Sequence, residues 1–178
     1  MRVVIESIEA EYRRYKQLAE ASFAQLSEQQ LAQVAGASDN SIATIAWHIG
    51  GNLRSRFTEF LDTDGEKPWR DRETEFHPRY VAYEQLLAFW EMGWQALSSA
   101  LASLTDDDLT RTVKIRSQPL SVVEALHRSL AHTSYHVGQI AFVAKALRGS
   151  DWKYLTIPPG KSAKYNQNPM YERPAKTS

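Results

Sequence analysis

The chain is organised around Leu130-Ala-His132-Thr-Ser-Tyr-His136-Val-Gly-Gln-Ile-Ala-Phe-Val-Ala-Lys-Ala-Leu147. The spacing of its apolar residues predicts an α-helix. Two residues four apart in a helix lie about 40° apart around its axis and one turn apart along it. The imidazoles of His132 and His136 can therefore reach one common ion.

Two apolar stripes run along this predicted helix. The first has the three- and four-residue spacing of a core face and comprises Val123, Leu126, Leu130, Thr133, Val137, Ile140, Ala144 and Leu147. The two histidines lie on its flank, a position that can face a gap between helices. The second stripe comprises Ala131, Tyr135, Gly138 and Phe142. We expect a chain tail or a second subunit to cover it.

Three further stretches have helical periodicity, over residues 4–26, 41–61 and 79–104. Each repeats apolar residues at three- and four-residue intervals, so each predicts an amphipathic helix. With the helix around His132, they predict an all-α protein built as a four-helix bundle. Such bundles place metal sites between side chains of facing helices.

The connections between these helices differ in length. Ser27 and Gln30 form a capping-box pattern, which predicts one short helical turn around residues 31–34 that ends at Gly36. Residues 62–78 are highly charged and are interrupted by Gly65, Pro68 and Pro78, so we expect a long surface loop without a packed element.

The C-terminal half contains two weaker signals. Residues 110–117 alternate with period two, which predicts a short strand or hairpin arm before Pro119 and Ser121 open the fourth helix. After Gly149 the periodicity is lost. We expect residues 150–160 to pack as an ordered tail, with about the last ten residues loose. The domain prediction is thus one domain over residues 1–160 and a C-terminal tail over 161–178.

The composition excludes several classes of protein. The formal net charge is zero and no basic tract occurs, so a nucleic-acid binder is not expected. The chain has no cysteine, which rules out disulfides, thiolate ligands and a cysteine nucleophile. No run of about 18 apolar residues and no signal-peptide pattern occurs, so we expect no membrane partner and a cytoplasmic location.

His48 is the candidate third ligand. It lies on the predicted second helix, away from that helix's apolar stripe and among small or polar neighbours. Three neutral imidazoles leave open coordination positions for water or substrate, as catalytic metal sites do. Asn52, one turn after His48, and Gln139, close to His136 around the helix, are candidates for orienting the ligands.

Two other histidines fit this site poorly. His127 lies nine residues from His136, about half a turn around the helix, so the two cannot bind the same ion. We expect it to be a capped or semi-exposed residue. His77 precedes Pro78 in the charged loop, where we expect solvent exposure.

Three segments together resemble the DinB-like (YfiT-type) metal-dependent family, in a branch whose function is undefined. They are Asn40-Ser-Ile-Ala-Thr-Ile-Ala-Trp-His48-Ile-Gly-Gly-Asn-Leu-Arg-Ser-Arg-Phe, Asp64-Gly-Glu-Lys-Pro-Trp-Arg-Asp-Arg and His127-Arg-Ser-Leu-Ala-His132-Thr-Ser-Tyr-His136-Val-Gly-Gln-Ile. The resemblance covers most of residues 1–148. It implies an up-down-down-up four-helix bundle, often dimeric, with one divalent ion such as zinc or nickel on His48, His132 and His136.

The resemblance also implies a chemistry. Characterised relatives include transferases and isomerases that use low-molecular-weight thiols, so our first hypothesis is a metal-dependent enzyme that activates such a thiol on a small-molecule substrate. Arg54, Arg56 and Lys67 could hold an anionic substrate, although solvated helix faces explain them equally well.

Two alternatives remain open at the level of sequence. The second hypothesis is a metal-dependent hydrolase of a small substrate, for which Glu59 and Glu91 are the candidate general bases. The third is a non-enzymatic protein, either a stress-associated dimer or a metal-binding module without turnover.

Overall fold

The structure is a computed structural model that describes residues 1–34 and 40–170. It is mostly helical, and its four long helices are α1 (Val3–Phe23), α3 (Ile42–Phe57), α4 (Tyr83–Ser103) and α5 (Val122–Arg148). The prediction of an all-α protein is confirmed in that the structure is mostly helical. None of the helices in the described ranges is long and apolar enough to cross a bilayer.

Two of the predicted helix ends are wrong by about four residues. The second predicted helix ends at Phe57 rather than residue 61, because Thr58 is extended and Glu59 has a positive φ of 49°. The third begins at Tyr83 rather than residue 79. The residue before Pro78 is restricted to extended conformations, and the chain does not become helical until Ala82 has been passed.

Side-chain caps fix where the two site-bearing helices begin. The Ser41 hydroxyl accepts a hydrogen bond from the Thr44 N–H at the start of α3. At the start of α5, Ser121 and Glu124 form a reciprocal capping box. Each cap satisfies N–H groups that have no partner inside the helix, which stabilises it by about 1 kcal/mol. The prediction that Ser121 opens the fourth long helix is confirmed. Pro119, predicted to open it too, instead lies in a strand.

The short turn after α1 forms as a helix of its own. This helix, α2 (Glu28–Ala32), begins at a capping box between Ser27 and Gln30, as predicted. It lies about three residues earlier than the predicted turn, because the cap immediately precedes the first helical residue. The predicted end at Gly36 lies outside the described residues.

A hairpin precedes α5. Strands β1 (Thr112–Ile115) and β2 (Gln118–Ser121) pair antiparallel, and Val113 lies opposite Leu120. The two turn residues, Arg116 and Ser117, have positive φ values of 54° and 62°. That conformation matches the twist of a two-residue hairpin turn. The period-two prediction is thus confirmed as a complete hairpin.

The segment between α3 and α4 is packed, which corrects the prediction of a surface loop. It contains a 3-10 helix over Glu73–Phe76, and the charged residues Lys67 and Glu75 are only 6% and 4% exposed. Lys67 donates to Thr63 Oγ1 and to the Asp64 carbonyl, both at 2.6 Å. Burial is possible because these charged groups have hydrogen-bonding partners.

The core lies between the long helices. Helix α3 packs most extensively on α4, α1 packs on α5, and α3 also contacts α5. The α3–α4 crossing is close because Gly50 and Gly93 face each other, and a Cβ on Gly93 would overlap the Gly50 backbone. Trp47 and Phe89 stack across the same pair of helices with ring centroids 3.9 Å apart.

The residues after α5 pack against the ends of the helices. Trp152 packs on the core, Lys153 exchanges two backbone hydrogen bonds with the Gln25 side chain, and Tyr154 lies under the Lys145 ammonium group. A short helix, α6 (Ser162–Tyr165), follows. The ordered tail is confirmed, and the predicted loose end falls largely on residues 171–178, which are outside the described range.

The described part of the tail, up to residue 170, does not cover the second stripe of α5. Tyr135 is 62% exposed and Phe142 is 76% exposed, and a Cβ on Gly138 between them would meet no atom within 4 Å. The expectation that the tail covers this face is therefore wrong for the described residues of the tail. The tail instead leaves α5 beyond Gly149, at the end of the molecule where α1 finishes.

Candidate functional site

The candidate site lies between α3 and α5. His48 comes from the middle of α3 and is 3% exposed, and His132 and His136 lie one turn apart on the facing side of α5. The structure thus brings together the three histidines proposed from the sequence. The ring centroid of His48 lies 5.2 Å from that of His132 and 5.0 Å from that of His136.

The nitrogen atoms are spaced as metal ligands are. The Nε2 atoms of His48 and His132 lie 3.2 Å apart, and one nitrogen of each of the three rings lies within 4.8 Å of the others. Zinc–nitrogen bonds of about 2.05 Å at a tetrahedral angle place two nitrogens about 3.3 Å apart. The three histidines could therefore hold one divalent ion. They form the only such group found in the described residues.

The far nitrogen of His48 is fixed by a buried carboxylate. His48 Nδ1 lies 2.8 Å from Glu75 Oε2. Glu75 also accepts hydrogen bonds of 2.8 Å from Arg70 Nε and Nη2, so it is held from two sides. Burial raises the pKa of the Glu75 carboxyl, but the hydrogen bonds from Arg70 and His48 outweigh it and the pKa is lowered. The ionised carboxylate assigns the proton to His48 Nδ1 and leaves Nε2 free to bind an ion.

A glycine makes room for this carboxylate. Gly51 lies on α3 beside the Glu75 side chain, and a Cβ there would overlap Glu75 Oε1. Any side chain at this position would push Glu75 away from His48. The Gly50–Gly51 pair therefore serves two contacts, one with α4 and one with Glu75.

His136 is oriented by residues of its own helix. His136 Nδ1 lies 2.7 Å from Gln139 Oε1, and Gln139 Nε2 donates to the Tyr135 hydroxyl at 3.1 Å. Because the amide oxygen only accepts, we assign the proton to Nδ1. Gln139 therefore lies where the sequence placed it, next to His136, and leaves the Nε2 lone pair available.

The site favours neutral imidazoles. Burial, assisted by the neighbouring His136 and His48 and by Arg70 and Arg56, lowers the pKa of His132 to about 3. Burial also lowers the pKa of His136, although the hydrogen bond with Gln139 opposes it. Neutral imidazole is the form that binds metal ions. At pH 7 the rings of His132 and His136 are therefore in the form that binds a metal ion.

A cavity of about 470 Å³ opens beside the histidines. This size is typical of small-molecule sites. Its walls come from α3, α5, the hairpin and the segment between α3 and α4, and His48 and His132 lie at its surface. Asn52 lines the cavity one turn from His48. It makes no hydrogen bond to any of the three histidines, so no direct contact supports the orienting role proposed for Asn52.

The other candidates are spread over the molecule. His127 and His77 are exposed, as expected. Glu59 is exposed and Glu91 pairs with Lys16 of α1 at 2.8 Å, so neither proposed general base lines the cavity. Among the basic candidates, only Arg56 lines the cavity. Arg54 stacks on Trp69, and the buried Lys67 is engaged with Thr63 and Asp64.

Glu75 and Arg70 were missed by the sequence reasoning. Both lie in the charged segment between α3 and α4, where no periodicity distinguishes a buried charge from an exposed one. Trp69 and Phe76 flank them, and large aromatic residues within a charged segment are the one signal that such a segment packs.

Comparison with known proteins places the chain in a family without assigning it an activity. No curated protein matches the sequence significantly. A crystal structure described as the conserved protein of locus from Enterococcus faecalis is similar in fold, with a TM-score of 0.61 and 18% sequence identity. The match covers 84% of this chain and 99% of that one. A family model described as protein of unknown function (DUF1572) matches residues 2–161. Since that match spans nearly the whole chain, the protein belongs to the DUF1572 family.

Proposed function

We propose that the protein is a metal-dependent enzyme of the DinB-like type, with one divalent ion on His48, His132 and His136 and a small thiol as co-substrate. The observation that carries the proposal is the cluster of three histidine side chains, two of which, His48 and His132, line a cavity of about 470 Å³. Three protein ligands leave at least one position for a substrate, unlike a structural site with four.

The residues around the cluster support a resident ion. Glu75 accepts a hydrogen bond from Nδ1 of His48, and Gln139 accepts one from Nδ1 of His136. Hydrogen bonds of this kind to the nitrogen that does not bind the ion are usual around metal-binding histidines. Imidazole ligands suit zinc and nickel equally, and we propose one of these. An ion in this position would lower the pKa of a bound thiol and keep it as the nucleophilic thiolate.

The hydrolase alternative is less well supported. Activation of water for hydrolysis is helped by a nearby general base, and no carboxylate lines the cavity among the described residues. The absence of cysteine is compatible with a thiol supplied by the substrate. We therefore place thiol transfer first.

Elemental analysis of untagged protein tests the ion. We expect about one zinc or nickel ion per chain, lost in His48→Ala and His132→Ala and retained in His127→Ala. The last variant is the matched control, because His127 is an exposed histidine on the same helix. Absence of an ion, with no uptake on soaking in zinc or nickel, would refute both enzyme hypotheses and leave the non-enzymatic dimer.

A thiol-transfer assay tests the reaction. The metal-loaded protein is mixed with an aryl chloride and, in turn, with cysteine, glutathione or bacillithiol. Transfer forms a carbon–sulfur bond and releases chloride, while the thiol proton goes to solvent. We expect turnover that chelation abolishes. Hydrolysis of an ester without added thiol would favour the hydrolase instead.

We also propose an up-down-down-up arrangement of α1, α3, α4 and α5. The packing of α3 on α4 and of α1 on α5 is compatible with it. The division at residue 160, the cytoplasmic location and the homodimer stay predictions.

A further inference from the structure

The cavity beside the histidines is unusually rich in arginine. Five guanidinium groups line it, and no aspartate or glutamate is among its lining residues; the arginines are Arg56, Arg70, Arg72, Arg116 and Arg128. A cleft lined by charges of one sign concentrates ligands of the opposite sign. The sequence did not indicate this, because the net charge of the chain is zero and these residues are dispersed over four segments.

Carboxylates behind the wall neutralise only part of this charge. Glu75 pairs with Arg70, Glu73 pairs with Arg72, and Glu66 accepts hydrogen bonds from both Arg56 and Arg116. Three carboxylates thus face five guanidinium groups. Arg128 forms no ion pair or hydrogen bond within residues 1–34 and 40–170. The cavity therefore keeps an excess of positive charge.

Several N–H donors in this wall have no hydrogen-bond partner among the described residues. Arg116 uses only its Nε, on Glu66, and Arg70 Nη1 is buried without a hydrogen bond in the part of the chain that the structure describes. Guanidinium groups with unused N–H donors are well suited to carboxylate and phosphate oxygens, which they bind in a bidentate manner.

The position of Arg116 is fixed by the segment between α3 and α4. Asp64 accepts hydrogen bonds from the backbone N–H groups of Arg116 and Ser117, at 2.8 and 2.6 Å. Those contacts hold both residues in their positive-φ conformation. The hairpin turn is thereby attached to the segment that carries Arg70, and the arginines face one cavity.

Part of the remaining cavity wall is apolar. Phe57, Phe60, Ile115 and Leu120 line it together with the arginines. A ligand that satisfies both surfaces has a hydrocarbon body and an anionic end. An inorganic anion would leave the apolar part of the wall unused.

We propose that this cavity binds a small organic anion, with its carboxylate or phosphate group on Arg116 and Arg128 and its hydrocarbon body against the apolar wall. That this anion is the substrate rests on the proposed function, because the other end of the molecule would then face the histidines. That the anion binds depends only on the arginines.

Calorimetric titration with three probes tests the proposal. The probes are 3-phenylpropanoate, its uncharged amide and phenyl phosphate. The acid and the amide have nearly the same shape, so the difference between them measures recognition of charge. We expect the acid or the phosphate to bind at least tenfold more tightly than the amide, as charge-assisted hydrogen bonds require. Which of the two binds better identifies the anionic group.

Two variants test which arginines recognise the anion. In the double variant Arg116→Gln/Arg128→Gln we expect the preference for the anion to fall to less than threefold. Both side chains are at the surface of the cavity, and an unchanged melting temperature and metal content will show that the fold is kept. Arg54→Gln is the matched control, because Arg54 stacks on Trp69 outside the cavity, and it should keep the full preference.

The outcomes separate this proposal from the metal site. Equal binding of acid and amide, a preference that survives in the double variant, or no saturable binding would overturn it. A preference lost in His132→Ala but kept in the double variant would overturn it too, since an ion would then hold the anion. An anion preference without any bound metal would instead refute the proposed function and support the arginine site.

Discussion

Replacement of Glu75 by glutamine is the most informative single change at the site. Glutamine has the same shape as glutamate but lacks the charge. The carboxylate accepts three hydrogen bonds of 2.8 Å, two from Arg70 and one from His48, and its side chain is only 5% exposed. Glu75→Gln therefore removes one charge from a buried pair and leaves the Arg70 charge uncompensated.

The structure sets the expected magnitudes. Loss of one partner from a buried ion pair costs about 3–5 kcal/mol of folding free energy. Because the glutamine oxygen still accepts a hydrogen bond, we expect the lower end, about 3 kcal/mol. Loss of a residue that orients a metal-binding histidine weakens metal binding about 10–100-fold.

Two measurements on the same samples separate these effects. Urea unfolding of the metal-free protein gives the folding free energy, and at about 2 kcal/mol per M the unfolding midpoint should fall by about 1.5 M. Competition with a chelator gives the metal affinity. Glu73→Gln is the control, because the Glu73 side chain is 84% exposed and, of the residues that the structure describes, pairs with Arg72 alone. Both quantities should therefore stay within experimental error.

Either of two results would contradict this reasoning. If Glu75→Gln bound metal within twofold of the unchanged protein, Glu75 would not orient His48 for an ion. If its unfolding midpoint were the same as that of Glu73→Gln, the buried pair with Arg70 would not contribute to stability.

Four further changes follow from the packing, the surface exposure and the titration behaviour. Gly93→Ala should lower the folding free energy by about 2 kcal/mol in urea unfolding, because the new Cβ overlaps the Gly50 backbone. Gly138→Ala, which meets open space, should raise it by up to about 1 kcal/mol. His132 has a lowered pKa, so the unfolded chain binds a proton there below pH 6.5 while the folded chain does not until about pH 3. Stability should therefore fall from pH 7 to pH 5 in the metal-free protein, and His132→Gln should flatten that slope; an unchanged slope would assign the loss to other groups. Phe142→Asp should convert a homodimer, if it forms through the exposed second stripe of α5, into a monomer by light scattering; a dimer that persists would place the interface elsewhere.

The sequence predicted the long helices and the meeting of the three histidines because both depend on local periodicity. Helical spacing places His132 and His136 on one side of α5 whatever surrounds them. His48 was identified as the third member because it lies off the apolar stripe of its helix. The end of α3 was not predictable in this way, since it depends on the left-handed backbone of Glu59.

The rest of the site depends on contacts between distant segments. Glu75 is 27 residues from His48, and its burial requires both Arg70 and the space above Gly51. The arginines around the cavity come from two helices, the hairpin and the segment between α3 and α4. No pattern along the chain records that these side chains face the same space.

The attachment of the hairpin turn to Asp64 has a consequence for how such a protein can diversify. The proposed metal ligands lie on two long helices, whereas much of the charged wall of the cavity belongs to the connecting segments. Insertions or substitutions in those segments would change which molecules enter without disturbing the helical core. One scaffold could in this way acquire new ligands while it keeps the same histidine cluster, and protein engineers could use the same division to redirect its selectivity.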